Sequence, residues 1–343
     1  MHSNPHHILV AHLTGLTETI LALPALRALR HHFERSAITI VSSAAGAEVL
    51  RLAGCAETIL AGGRISGGEW SDPRGLYRSA QVCRELRRGR FDLSIEFEPG
   101  LENGILQRFA QPASRLAQRP TLNRGFGALI ERIAAGLLKQ PPPLIHLAHR
   151  YLKLLEPLGV RPIEALPRLA TDRAADQRVD RLLDRHRLAG GELLVGIHTG
   201  AGAPRWPRER FASIAARMIH NLNALVVVFA GPRERGSAKT LAAALPAKRA
   251  IAIESPKLSD LISWAARLSV LVAPLHGPAH VAAAAGTPVV AASISTGPSP
   301  QDLLGEPHLH IRGPSAETIS EEAIYEAACR LIKTNRAERL RAR

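Results

Sequence analysis

Cysteine, aromatic rings, acidic side chains and long apolar runs are all scarce in this sequence, and each scarcity removes a class of protein. The three cysteines of the 343 residues, Cys55, Cys83 and Cys329, are scattered without metal-ligand spacing. That argues against a disulfide framework or a structural zinc site, and all three read as small buried hydrophobes. Aromatic residues make up 4% of the chain, which leaves few platforms for stacking bases. With no helix-turn-helix, zinc or aromatic-strand signature either, nucleic acid is not expected as a partner. The apolar stretches are too short, or too interrupted by Arg and Pro, to span a bilayer. The start, MHSNPHHILVAH, has neither the basic n-region nor the long apolar core of a signal peptide, so a cytoplasmic protein is expected.

What is present is a large basic excess: 44 Lys and Arg, nearly all Arg, against 30 Asp and Glu, a formal net charge of +14. Such an imbalance concentrates anionic partners, whether phosphorylated sugars, nucleotides or an acidic membrane surface, without choosing among them. The basic tail RLIKTNRAERLRAR reads most simply as a solvated helix face; attraction to an anionic membrane or lipid substrate is the sharper alternative.

The length allows two domains of ordinary size. HHILVAHL, TGLTET and ILALPALRALRHHF follow one another as strand, turn and helix, with Pro24 marking either a kink or the true helical start. AITIVSS at 37–43 is a second strand, and RFDLSIEFEPG at 90–100 a strand ending in an acidic, glycine-terminated loop. Residues 61–75 read as a loop. Residues 103–160 read as largely helical apart from QRPTLNRG and the PPP of 141–143, and 171–191 as a helix ended by a glycine pair. ELLVGIHTG at 192–200 restarts the same grammar. The reading is therefore α/β, with two Rossmann-like domains facing a central cleft, 1–180 and 181–343, and with the last helix a candidate to pack back on the first domain.

Four stretches could carry chemistry. HTGAGAPRWPRERF at 198–211 has Gly200 and Gly202 to shape a turn whose amides suit a phosphate, with Arg205, Arg208 and Arg210 beside it. It is neither a P-loop nor a GxGxxG fingerprint, and a plain strand-to-helix turn reads the same way. FAGPRER at 229–235 ends the next strand; Glu234 suits ribose hydroxyls, or simply a helix start. In the first loop stand His12, Thr14, Gly15, Thr17 and Glu18, where Glu18 is either a general base or a carboxylate favoured by the helix dipole. VAPLHGPAHVAAAAGTPVV at 272–290 places a turn at Gly277 and Pro278 before a helix of alanines.

Together these loops resemble glycosyltransferase family 9, the heptosyltransferases of lipopolysaccharide core synthesis, over most of the chain. The family's first-loop pattern, Arg, two or three small residues and Gly-Asp before a Leu-Pro helix, falls on His12, Thr14 to Leu16, Thr17, Glu18, Leu23 and Pro24. Its PGAS…K-R-W-P-x-x-x-F pattern falls on Thr199, Gly200, Ala201, Gly202, Pro204, Arg205, Trp206, Pro207 and Phe211. Its Asp-Ser/Thr-Gly-Pro-Met-His pattern, followed by an Ala-rich helix and Gly-x-Pro, falls on Leu275, His276, Gly277, Pro278, His280, Gly286 and Pro288.

The resemblance implies a GT-B arrangement and an inverting, metal-independent transferase. Its donor is a nucleotide diphosphate sugar, ADP-heptose in the family, with no other cofactor. The acceptor it implies is an anionic glycolipid or cell-envelope glycan, met by a monomer in the cytoplasm with peripheral contact at the inner membrane. It assigns Glu18 the role of catalytic base. Thr199, Gly200, Gly202, Arg205, Trp206, Glu234, His276, Gly277, Pro278 and His280 become donor contacts, and His12, Thr14, Gly15 and Thr17 the acceptor-side loop. Four positions depart from the family: Thr17 for Gly, Glu18 for Asp, Pro204 for Lys and Leu275 for Asp. They leave a second reading, a decayed GT-B protein that binds a nucleotide sugar or glycan without turning it over.

Overall fold

The computed structural model describes residues 5–62, 73–98, 100–117, 145–186, 193–200, 206–246 and 248–341. The chain divides into two compact units, Met1–Ala165 and Leu166–Arg343. Helix Arg173–Arg185, through which a boundary at 180 would run, lies wholly in the second unit. It packs on helix Leu258–Arg267, with Arg178 bonded to Asp260 and Arg267 bridging Asp176 and Asp180.

The first unit holds β1 (His7–His12), α1 (Leu16–His32), β2 (Ala37–Ser42), α2 (Ala44–Ala53), β3 (Thr58–Ala61), α3 (Pro73–Arg88), β4 (Leu93–Glu96), α4 (Leu101–Ala110), β5 (Ser114–Ala117) and α5 (Leu147–Leu155). Its five strands run parallel in the order β3-β2-β1-β4-β5. Ile8 to Ala11 of β1 are wholly buried, as expected of a central strand covered by helices on both faces. The short strands β3 and β5 do not stand out in the sequence. Ser114–Ala117 falls inside a stretch that reads as helical, and SRLA is too short and polar to show a period; pairing with β4 makes it a strand. Pro24 sits inside α1, which starts earlier at Leu16, so it does not mark the helical start.

The second unit holds α6 (Arg173–Arg185), β6 (Leu194–His198), α7 (Arg208–Leu222), β7 (Leu225–Ala230), α8 (Ser237–Ala243), β8 (Ala250–Glu254), α9 (Leu258–Arg267), β9 (Val270–Pro274), α10 (Gly277–Ala284), β10 (Val289–Ile294), β11 (Leu309–Gly313) and α11 (Glu321–Arg341). Its six parallel strands run β11-β10-β9-β6-β7-β8, the doubly wound order. The glycine pair expected to end the helix at 171–191 lies outside the described residues; α6 closes on His186. The last helix, α11, packs on β9, β10, β11 and α7 of its own unit. Its Ile324, Ala328 and Leu331 join a core with Ile214, Val226 and Val272. Cys55 is buried, Cys83 and Cys329 half-buried, and none is in a disulfide.

This topology already singles out positions. In each unit the strand order reverses between the first strand and the fourth, β1 against β4 and β6 against β9. Ligands of open α/β sheets gather beyond the carboxyl ends of the strands at that switch point. The residues there are His12 and Glu98 in the first unit, His198 and His276 in the second.

Candidate functional sites

In the second unit, β6 ends in the buried His198 and continues through Thr199 to Gly200. Gly200 has φ +78°, and a Cβ on it would stand 2.8 Å from the Pro274 ring, so both conformation and space call for glycine. Its amide donates to Nδ1 of His198 at 3.0 Å, and the other ring nitrogen, Nε2, stands 3.4 Å from Oε2 of Glu234. That carboxylate is 5% exposed at the end of β7. Oε2 accepts the Gly231 amide at 2.9 Å, while Oε1 is buried and has no hydrogen-bond partner. An unsatisfied buried carboxylate oxygen is costly, and its residue borders a pocket from which a ligand donor could be supplied.

The pocket it borders has a volume of about 320 Å³ and is lined by His198, Pro232, Arg233, Glu234, His276 and Pro278. His276 is the N-cap of α10, in extended conformation and without a side-chain capping bond. Pro at the first turn and alanines behind it let α10 lie close on the sheet with its positive end at the pocket rim. Burial holds the pKa of His198 below the ordinary imidazole value; Glu234 opposes the shift and His276 reinforces it.

Thus Glu234, His276 and Pro278 of the expected donor contacts meet at one pocket, with Thr199, Gly200 and Gly277 in the loops that form it. His280 is buried in α10 and does not line the pocket. Trp206 does not either. It is 2% exposed, its ring meets Phe211 edge-on at 4.9 Å, and its indole N–H donates to the carbonyl of Ile319. The Trp and Phe of that motif therefore anchor the loop to the core. Gly202 and Arg205 lie outside the described residues. Leu275, where the family keeps an aspartate, packs against the core formed by Trp264, Ala273 and Ala279. Two pocket residues, His198 and Arg233, were not among the expected contacts. His198 carried a signal in ending its strand at a glycine loop, and Arg233 adjoins the acidic residue of FAGPRER.

In the first unit, His12 is wholly buried at the end of β1. Its Nε2 lies 2.9 Å from the hydroxyl of Thr14, and its ring meets Phe97 and Tyr151 edge-on, both at 5.7 Å. Burial lowers its pKa to about 4, against an opposing bond from the Glu18 backbone. Gly15 is the N-cap of α1, Thr19 donates to its carbonyl at 2.8 Å, and Thr17 and Glu18 are half-buried in the first turn. Glu18 lies near Tyr151, since its charge adds to burial and to Glu98 in raising the tyrosine pKa.

Around this loop stand residues that the sequence reading passed over. Glu98 Oε1 accepts from the Tyr151 hydroxyl at 2.8 Å and from Arg150 at 2.6 Å. Asn103 donates to the Glu98 carbonyl and accepts the Leu13 amide, which ties the loop after β4 to the loop after β1. The acidic end of RFDLSIEFEPG was a signal for Glu98; nothing local pointed to Tyr151. Behind the loop lies a separate apolar cavity of about 600 Å³, walled by Leu13, Val82, Cys83, Ile105, Leu106 and Phe109. Among the described residues no group of three His, Cys, Asp or Glu could hold a metal ion, and no helix is long and apolar enough to cross a membrane.

The chain resembles, at 22% identity over 97% of its length and 100% of the other chain, the glycosyl transferase family 9 structure from Veillonella parvula, TM-score 0.77. The E. coli ADP-heptose lps heptosyltransferase II matches at 18% identity over 96% of this chain and 99% of that one, TM-score 0.71. E. coli heptosyltransferase WaaC with ADP-2-deoxy-2-fluoro heptose matches at 16% identity over 93% and 98%, TM-score 0.68. These likenesses show the fold, two Rossmann-like units of the GT-B class. No curated protein matches the sequence. The profile of glycosyltransferase family 9 (heptosyltransferase) matches residues 79–317, well over half of the chain, and the protein belongs to that family of glycosyltransferases.

Proposed function

We propose that the protein moves a sugar, heptose or a related one, from a nucleotide diphosphate donor to a cell-envelope glycan or anionic glycolipid, with inversion at the anomeric carbon. The observation that carries the reading is Glu234: a buried carboxylate with one oxygen unpartnered, on a pocket at the switch point beside the N-terminus of α10. A ribose diol supplies the donors that this oxygen lacks. The α10 N-terminus, His276 and Arg233 favour the negative diphosphate beside it. ADP-heptose is the donor suggested by the ligand named with E. coli WaaC.

On this reading the second unit holds the donor and the first supplies the base. Glu18 takes the proton of the acceptor hydroxyl, the freed oxygen bonds to the anomeric carbon from the face opposite the leaving group, and the C–O bond to the diphosphate breaks with its electron pair. The nucleoside diphosphate departs, stabilised by the pocket's positive groups without a metal ion in the chemical step. The enzyme works as a cytoplasmic monomer, its basic surface drawing it to the acidic face of the inner membrane.

A thermal-shift screen with ADP-, GDP-, UDP- and dTDP-linked sugars tests the donor site, since a ligand at a hundredfold its Kd adds about 2.7 kcal/mol of stability. Stabilisation by none of them would sink the reading. A second reading, a binding module without turnover, is favoured by Leu275, which puts an apolar core contact where the family has a carboxylate. Donor binding without transfer to any envelope-derived acceptor would select it.

A further inference from the structure

On the donor-site reading above, the surroundings of His198 fix which of its ring nitrogens carries the proton. Because Nδ1 accepts the Gly200 amide at 3.0 Å, that nitrogen carries no proton. A neutral imidazole then bears its single hydrogen on Nε2, the atom 3.4 Å from Oε2 of Glu234. Oε2 accepts the Gly231 amide at 2.9 Å and has the His198 Nε2 beside it at 3.4 Å, a longer, electrostatic approach that favours the carboxylate in this orientation. Oε1, buried and without a hydrogen-bond partner, is left as the free acceptor of a residue that lines the pocket. The same ring spans two loops, holding Gly200 after β6 and facing Glu234 after β7.

We propose that His198 is a positioning residue that fixes the Glu234 carboxylate as a reader of the ribose diol and locks it to the Gly200 turn. It touches no reacting atom. Its contribution is selectivity for a ribonucleoside diphosphate over its 2′- or 3′-deoxy counterpart, because a site built to pair a hydroxyl rejects the analogue that lacks it. Burial supports the role by keeping the ring neutral, so that Nδ1 stays an acceptor.

Two substitutions separate the two nitrogens. In H198Q the side-chain amide N–H can still reach towards Glu234; in H198N the amide oxygen can still accept from Gly200, but nothing reaches the carboxylate. Titration calorimetry with ADP, GDP and UDP and with their 2′- and 3′-deoxy forms should show a ribose preference of about tenfold or more in the unaltered protein. H198Q should keep that preference and H198N lower it about tenfold, with inorganic pyrophosphate affinity little changed in both. A preference undiminished in folded H198N overturns the role of His198 and leaves the donor site standing. Nucleoside diphosphates bound without any ribose preference overturn the diol reading of Glu234 and, with it, His198. No binding of any nucleotide overturns the donor site itself.

Imidazole nitrogen spectra of the unaltered protein give a measurement independent of any variant's folding. The Nε2–H tautomer should be seen at neutral pH, with an Nε2 shift on adding the ribonucleotide that the deoxy forms do not reproduce. The opposite tautomer would overturn the proposal.

Discussion

The two units place a histidine at the same point of the same topology and use it differently. His12 ends β1 and His198 ends β6, each the first strand of its sheet and each buried. Both rings sit next to the loop that starts the following helix, and burial lowers the pKa of both. The neighbours differ. His12 is enclosed by Phe97, Tyr151 and the Thr14 hydroxyl; His198 opens on Glu234 and His276 at a pocket. The glutamates differ in the same sense. Glu98 is committed to Tyr151 and Arg150, whereas Glu234 keeps a buried oxygen without a partner. Satisfied carboxylates hold loops together, whereas a buried oxygen without a partner calls for a separate explanation, which the proposed ligand supplies. The topology supplies two equivalent positions; the side chains around them make one a brace for the Glu18 loop and, on the proposed function, the other a reader.

The largest expected effect breaks the contrast on the chemical side. Glu18→Gln should lower kcat about a hundred- to ten-thousandfold, the range for losing a general base, with donor affinity kept. Kinetics alongside calorimetry check it, and unchanged turnover would remove Glu18 as the base.

Acid sharpens the contrast from the first unit. His12 has a folded pKa of about 4 against an unfolded value of 6.5, so below 6.5 the unfolded chain takes the proton first. Its contribution is complete above pH 6.5 and is lost as the pH falls towards 4, a change of about 3 kcal/mol over that window. Urea melts at pH 7.5 and 4.5 should show a smaller pH-dependent loss in His12→Gln than in the unaltered protein. His198 and His308, also held low by burial, leave a remainder in the same window.

Glu234→Gln keeps the shape of the second site and exchanges an acceptor oxygen for an amide. Donor affinity should fall about ten- to a hundredfold, the cost of a lost charged hydrogen bond, while the melting temperature changes little. Tyr151→Phe is the mirror test in the first unit. Removing the hydroxyl that serves Glu98 should cost about 1 kcal/mol of stability and leave donor affinity unchanged. A donor-affinity loss in Tyr151→Phe as large as in Glu234→Gln would dissolve the distinction between brace and reader.

Much of the second site was legible along the chain because its parts are local. The Gly200 turn, the Gly277–Pro278 helix start and the acidic residue after FAGP each follow a strand within a few residues, and the pattern of small residues is itself the signal. Trp206 shows the limit of pattern matching. Its motif was recognisable, but its indole bonds to Ile319, 113 positions along the chain, and the residue belongs to the core. The partners of the first site were hidden for the same reason: Tyr151 reaches Glu98 across 53 positions, and Asn103 reaches Leu13 across 90.

Sequence by itself determined the α/β class and the repeated strand–loop–helix grammar, because periodicity, glycine turns and capping chemistry act over a few residues, and its motifs carried the resemblance to the family. Only the tertiary structure decided that His198 faces Glu234, that Trp206 is an anchor, and that Glu98 is satisfied where Glu234 is not. Hydrogen-bond satisfaction depends on which distant strands the sheet brings side by side, and parallel strands reach their neighbours only through crossovers that separate the partners by tens of residues.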